Sequence, residues 1–274
     1  MPDIKKLIKI AKHIRLEVLE MIYQAGSGHL GSSYSTVEML VALYSGGILT
    51  FDPQNPNWDK RDYFLLSNGH ACPALYAVLA DNEFFSSDRL KNLRRFDSGL
   101  EGHPKKNTLP GIEISSGSLG MGLSQAVGIA LGLRLDHKDN QVMVMMSDGE
   151  QDEGSTWEAA MAAGHFKLNN LIAIIDRNGT QIGGFTEDQM GLEPLIDKYL
   201  SFNWHVIKIN GHDFNSIFNG FKKAFDLKGP KLIISRTQGC KGLSFMEGRP
   251  DVHRPQVDDD FYQKAIKELK NKNE

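Results

Sequence analysis

Cysteine is scarce in this 274-residue sequence: Cys72 and Cys240 are the only two, and they lie far apart without metal-ligand spacing. That excludes a disulfide framework and a thiolate zinc site, and it makes a reducing cytoplasm the expected compartment. An excess of charge of one sign is also missing. The formal net charge is -3, so neither nucleic acid nor a membrane surface is an expected partner, and any anionic ligand must be held locally. No uncharged apolar run approaches the roughly 20 residues that a membrane span requires. The opening residues alternate Lys, Arg and Glu with Ile and Leu instead of forming the apolar core of a secretory signal. Repeats, low-complexity tracts and flexible linkers are absent too. With 41% hydrophobic and 24% charged residues, the composition is that of an ordinary globular chain, long enough for one large core. Residues 1–274 are therefore expected to form a single domain.

Helical periodicity is present from the start. Ile4, Leu7, Ile8, Ala11, Ile14, Val18, Leu19 and Ile22 share one face until Gly26 interrupts the pattern. Ser35 followed by Glu38 has the form of a capping box opening a second helix, whose apolar face is Met39, Leu40, Leu43 and Tyr44. The prolines and asparagines of 52–57 predict a surface loop. Short apolar segments then alternate with helical ones: Tyr63–Leu66, Val142–Met146, Leu171–Ile175, His205–Ile209 and Leu232–Ile234 are the expected strands. Near-continuous apolar strands separated by helices predict an α/β fold, a doubly wound parallel sheet with helices on both faces. Residues 239–256 carry Gly, Pro and charge without periodicity and are expected to form a long functional loop. A terminal helix is expected from about Asp260 to Lys270.

In such sheets ligands bind beyond the carboxyl ends of the strands. The polar residues of this sequence gather there: Ser67-Asn68-Gly69-His70, Ser147-Asp148-Gly149-Glu150, Asp176-Arg177-Asn178-Gly179 and Arg236-Thr237-Gln238-Gly239 each follow a strand. Asp148 and Asn178 are the most informative pair. On neighbouring strands they would offer an anionic and a neutral oxygen to one hard cation, and magnesium fits because it completes its shell with phosphate oxygens. Gly149 would let backbone approach that phosphate. The alternative is that Asp148 and Asn178 merely cap the helices that follow them.

Ser147-Asp148-Gly149 followed, thirty positions after Asp148, by Asn178 resembles the metal and diphosphate motif of thiamine-diphosphate enzymes, with Ser147 in place of the usual first glycine. Further segments narrow the resemblance to transketolase: Gly26-Ser27-Gly28-His29-Leu30-Gly31, Ser67-Asn68-Gly69-His70, Glu101-Gly102-His103-Pro104 and the stretch from Ser116 to Gly122. Glu153-Gly154 and the stretch from Ala163 to Leu168 are similar to it as well. The segments span nearly the whole chain in the family's order. Two departures, Leu30 and Ser118 where the family usually has proline, affect loop stiffness rather than chemistry.

The resemblance implies a cofactor, thiamine diphosphate, and a divalent ion, Mg2+ with Ca2+ or Mn2+ as substitutes. It implies that Asp148 and Asn178 bind the metal through their side chains and Thr180 through its carbonyl, while Gly149 touches the diphosphate. His70 and His253 resemble the histidines near the diphosphate and the reacting carbon, and His29 and His103 those facing the sugar's oxygens, so that His29, His103 and His253 are the expected catalytic group. Gly117 resembles the glycine whose carbonyl accepts from the aminopyrimidine, with Leu119 packing nearby. Glu153 and Glu158 resemble the acids that link two cofactor sites across a dimer interface; a solvated helix start is the plainer account of them. His13, His137 and His205 have no such context and are expected to be surface or packing residues.

The family's activating glutamate, and much of its phosphate-sugar site, belong to a second domain for which this sequence has no counterpart. The expectation is therefore the N-terminal subunit of a split transketolase or a shortened piece of a longer one, with the Lys- and Asn-rich terminal helix favouring a natural end. A C-terminal partner subunit, a two-plus-two assembly and sugar phosphate substrates follow from the same resemblance. Three rivals remain open on the sequence: another thiamine enzyme, such as a 2-oxo acid dehydrogenase E1 α subunit or a deoxyxylulose phosphate synthase; a nicotinamide-dependent dehydrogenase, suggested by Gly120-Met121-Gly122 but lacking the third glycine; and a non-catalytic cofactor-binding module.

Overall fold

The computed structural model describes residues 2–271. The chain opens with helix α1 (Ile4–Ala25), started by Asp3, whose side chain accepts from the Lys6 N–H, and stopped by Gly26 in the left-handed region at φ 63. There follow α2 (Leu30–Ser35), α3 (Val37–Leu43), β1 (Tyr63–Leu66), α4 (Cys72–Asp81), α5 (Met121–Leu135), β2 (Val142–Ser147), α6 (Gly154–His165) and β3 (Leu171–Arg177). A small antiparallel hairpin, β4 (Thr180–Gln181) and β5 (Gly184–Phe185), leads into α7 (Thr186–Gln189) and α8 (Leu195–Ser201). The chain continues with β6 (His205–Asn210), α9 (Phe214–Phe225), β7 (Lys231–Arg236) and α10 (Asp259–Asn271). Among the described residues no helix is long and apolar enough to cross a membrane.

The five expected strands pair in parallel in the order β1-β2-β3-β7-β6. Strand alternation sends side chains to two separate cores. Met143 and Met145 of β2 face a cluster built with α1, α3, α4, α9 and α10, while Val142, Val144 and Met146 face one built with α5, α6 and α8. The chain moves outward from β1 to β3, skips to the far edge at β6, and returns to β7. Right-handed crossovers then require α9 to lie on the face opposite α6, as it does. The reversal puts a topological switch point between β3 and β7, next to the loops that carry Asp148 and Asn178.

One local expectation fails. Ser35 and Glu38 form no capping box: α2 and α3 are separate helices joined at Thr36, whose side chain makes no capping bond. Both candidate capping groups are drawn elsewhere. Ser35 Oγ donates to Asp176 Oδ2 at 2.6 Å, and Glu38 takes both of its oxygens to Arg15 of α1, at 2.6 and 2.7 Å. Four strands also run further than expected, β2 through Ser147, β3 through Asp176 and Arg177, β6 through Asn210 and β7 from Lys231 through Arg236, because polar residues at a sheet end still pair their backbones.

The Arg15–Glu38 pair is buried, each side chain only 9% exposed. Glu38 Oε2 also meets His212 Nδ1 at 3.0 Å, while His212 Nε2 accepts from the Gln238 N–H, so Nδ1 carries the proton that Glu38 receives. Burial opposes ionisation of Glu38, but Arg15 and His212 outweigh it and hold the carboxyl down to about 2, from 4.5. We expect Arg15→Met to cost about 3–5 kcal/mol in urea unfolding, since it strands a buried charge. The folded pKa lies below the unfolded one, so the stabilisation is complete above pH 4.5 and lost as pH falls toward about 2. An unfolding free energy for Arg15→Met equal to that of the parent chain would refute the assignment.

Candidate active site

The site is assembled from strand ends and the loops that close over them. Asp148 directly follows the fully buried β2, where it caps a single 3-10 turn over Gly149–Asp152, and is itself 0% exposed. Its Oδ1 accepts from the Gly149 N–H at 2.9 Å, and its Oδ2 from the Gly179 N–H at 2.7 Å and from Arg177 Nη1 at 3.2 Å. Burial first, and the nearby Asp176 carboxylate second, push the Asp148 carboxyl up to about 7. A divalent cation would relieve both effects. Asn178 caps no helix; it follows β3 in a turn, where its Nδ2 donates to Asp176 Oδ2 at 3.0 Å. That bond fixes the amide so that Oδ1 faces the other way, toward Thr180, from whose N–H and hydroxyl it accepts at 2.9 and 2.8 Å. A rotation of the Thr180 hydroxyl frees one lone pair of the amide oxygen.

These oxygens fit a hard cation in number and kind, an anionic carboxylate beside a neutral amide, with room for phosphate oxygens. Among the described residues no group of three or more His, Cys, Asp or Glu side chains is placed to hold a metal. The candidate set contains only one of those types, so it falls outside that description.

A pocket of ≈ 260 Å³ opens beside Asn178; Asp148 itself, wholly buried between Ser147 and Gly149, is not in its lining. Asn178, Thr180, Gly149 and Ser147 line one side, Gly117 and Leu119 another, and His29, His70, His103 and His253 the rest. The histidines arrive from four loops: before α2, after β1, within the segment preceding α5, and from 239–256. Their rings pack closely, with centroids 5.3 Å apart for His29–His70, 5.3 Å for His29–His253, 5.0 Å for His70–His253 and 6.1 Å for His29–His103. Burial lowers the pKa of all four, assisted by mutual repulsion and by Arg94 and Arg254; His29 is brought down to about 3. Neutral rings each keep one donor and one acceptor nitrogen.

Several buried polar atoms around the pocket have no partner in the protein: His29 Nδ1, His70 Nε2, His253 Nδ1, Gln181 Oε1 and both amide atoms of Asn68. Such a concentration of unmatched groups is costly in an empty protein and is the mark of a place prepared for a polar ligand. Two glycines make the closure possible. A Cβ on Gly31 would lie 2.0 Å from the Val252 carbonyl oxygen, so only glycine lets the 239–256 loop descend onto α2 and deliver His253. Gly117 sits at φ 145, a region L-residues rarely adopt, against the His103 side chain.

Not every expected residue lines the pocket. Glu153 and Glu158 are exposed at the start of α6 and outside the pocket. Gly120 and Gly122 serve packing rather than a dinucleotide: the Gly120 N–H donates to Glu150 Oε1 at 2.7 Å, and a Cβ on Gly122 would lie 2.1 Å from Ser67 Oγ. Sequence reasoning missed Ser32, Gln181 and Ile182 in the lining. It also passed over two supports beneath it. Glu150, fully buried, accepts from Ser67 Oγ and from the Gly120 and Ser147 N–H groups, tying three loops together. Asp176, 2% exposed, accepts from Ser35, Thr237 and Asn178. The available signal was an acid at the very end of an apolar strand, where it must find donors.

Residues 6–272 match the family model described as transketolase, thiamine diphosphate binding domain. The chain is 42% identical over 260 residues to the 6-deoxy-6-sulfo-D-fructose transketolase subunit SqwG of a Clostridium species, covering 94% of each chain. It is 41% identical to an apulose-4-phosphate transketolase subunit of Phocaeicola vulgatus, covering 93% of this chain and 90% of that one. Among solved structures, transketolase from Campylobacter jejuni superposes with a TM-score of 0.91 at 32% identity; 98% of this chain is covered but only 43% of that one. The chain belongs to the transketolase family, as a thiamine diphosphate binding domain.

Proposed function

We propose that this chain is the N-terminal subunit of a split transketolase, binding thiamine diphosphate and Mg2+ and acting with a C-terminal subunit that supplies the pyrimidine-binding domain. The assembly would contain two copies of each, in the cytoplasm, and would transfer a two-carbon ketol unit from a ketose phosphate to an aldose phosphate. One observation carries the reading: a single pocket gathers Gly117, Leu119, Gly149, Asn178, Thr180 and four neutral histidines beside the buried Asp148 carboxylate. The subunit form is supported by relatives named as transketolase subunits that match over nearly their full length. The names of those relatives give different ketoses, one a sulfo-sugar and one a sugar phosphate; what the two share is a ketose that carries an anionic group.

In this reading Asp148, Asn178 and the Thr180 carbonyl hold the metal, and Gly149 offers backbone to the diphosphate. Gly117 and Leu119 take the aminopyrimidine side, and Glu153 acts across the interface between copies. Thiamine diphosphate, when bound, supplies the electron sink for the migrating two-carbon fragment. The chain's own part is placement and proton handling. His29 and His103 meet the sugar's oxygens as neutral rings, able to donate a hydrogen bond from one nitrogen and accept a proton at the other. His70 and His253, each with its ring 5.3 Å from that of His29, would stand near the diphosphate and the reacting carbon and help to keep water out.

Thiamine diphosphate with Mg2+, at about 100 times its dissociation constant, should stabilise the chain by about 2.7 kcal/mol, a rise in Tm of roughly 5–10 °C. Chelation of the metal should abolish that rise. Asp148→Ala should weaken loading by at least ~100-fold, about 2.8 kcal/mol; undiminished loading would remove Asp148 from the site. The chain alone should show no ketol transfer, and transfer should appear on mixing with its C-terminal partner, so activity of the purified chain by itself would overturn the split arrangement. Because burial holds His29 near pKa 3, an NMR titration should find its ring neutral from pH 8 to pH 5. A midpoint near 6.5 would contradict this.

A further inference from the structure

The carboxylate of Asp148 is tied to more than its own loop. Arg177, the last residue of β3, sends Nη1 to Asp148 Oδ2 at 3.2 Å and to Thr186 Oγ1 at 2.7 Å, and Nη2 to Glu187 Oε1 at 2.5 Å and Glu193 Oε1 at 3.4 Å. Glu187 in turn accepts from the Leu192 N–H at 3.2 Å, and Glu193 Oε2 from the Leu195 N–H at 3.0 Å. One planar cation, its side chain 13% exposed, thus joins a fully buried carboxylate to two acids that are 44% and 60% exposed.

The segment so attached is the lip of the pocket. It begins with the hairpin that contributes Thr180, Gln181 and Ile182 to the lining. Leu192, 2% exposed, is its one buried large apolar side chain, while Ile182, Phe185 and Met190 are 79%, 40% and 61% exposed. Polar contacts therefore carry much of the attachment: Thr180 reaches Asn178, and Arg177 is the side chain that ties the rest of the lip to Asp148. A guanidinium suits this place because its rigid fork can serve several acceptors at once, which an ammonium cannot do in the same geometry.

We propose that Arg177 is a positioning residue that couples the divalent-ion site at Asp148 to the lip formed by residues 180–193. The proposal rests on the cofactor reading given above. It has a reciprocal consequence: whatever orders the lip also fixes Asp148 for the ion, and an ion at Asp148 steadies the lip. Oδ2 of Asp148 is taken by the Gly179 N–H and Arg177, whereas Oδ1 accepts only from the Gly149 N–H and keeps a second lone pair, so Arg177 and a metal can share the carboxylate.

The test uses the full chain with Arg177→Met, Arg177→Lys and Glu187→Gln. Hydrogen exchange is followed in EDTA, and thiamine diphosphate loading is titrated with Mg2+. Arg177→Met should speed exchange of amides 179–193 about tenfold while β2, β3 and β7 stay protected, and should raise the Mg2+ concentration for half-loading by about 10–100-fold. Arg177→Lys should recover part of the Mg2+ response, and Glu187→Gln should loosen the lip with a smaller effect on Mg2+. An unchanged Mg2+ requirement in Arg177→Met, or exchange rising equally across the whole sheet, overturns the proposal. A parent chain that takes up no cofactor at any Mg2+ concentration instead overturns the cofactor reading and, with it, the coupling.

Discussion

Acids buried at the carboxyl ends of apolar strands are the constraint on which the rest of this structure depends. Asp148 follows β2 directly and Asp176 is the penultimate residue of the neighbouring β3, with Glu150 two residues beyond Asp148; all three are almost wholly withdrawn from water. Burial raises the pKa of each, which measures how strongly each charge needs company. The loops are arranged to supply it. Glu150 gathers the Ser67, Gly120 and Ser147 segments, Asp176 gathers Ser35, Asn178 and Thr237, and Asp148 gathers Gly149, Arg177 and Gly179. The pocket is the space these attachments enclose.

Close backbone approach is the second element of the design. The loop that carries His253 reaches the pocket only because Gly31 has no side chain to block Val252, and α5 begins against β1 only because Gly122 leaves room for Ser67. The histidines are thereby brought within ring contact, where burial and mutual repulsion keep them uncharged. Charge is thus concentrated on the acid side of the pocket and removed from the imidazole side. This division suits a bound cation and diphosphate on one flank and proton exchange with a sugar's uncharged hydroxyl and carbonyl oxygens on the other.

Much of this was legible in the sequence. Near-continuous apolar runs located all five strands of the main sheet. Three of the four polar tetrads after them contribute to the pocket lining, because strand ends are where a parallel sheet exposes polar loops, while Arg236-Thr237-Gln238-Gly239 does not. Periodicity gave α1 to within a few residues, with Gly26 as its stop. The failures share a cause. Ser35 and Glu38 have the local form of a capping box, but both bind partners more than twenty residues away or on another element, so local propensity was overridden by buried electrostatics. Ile182 and Gln181 went unnoticed because a two-residue hairpin has no periodicity to betray it.

By itself the sequence determined the fold class, the chain's place in the transketolase family and the set of residue types available to a metal, a diphosphate and a sugar, because these depend on pattern and order along the chain. Only the tertiary structure decided which of those residues meet. It brought four histidines from distant loops into one cluster, turned the Asn178 amide oxygen away from Asp176, left Glu153 in solvent and set Arg177 against Asp148. Distances, burial and the partner of each hydrogen bond come from packing between segments far apart in the chain, and no local pattern encodes them.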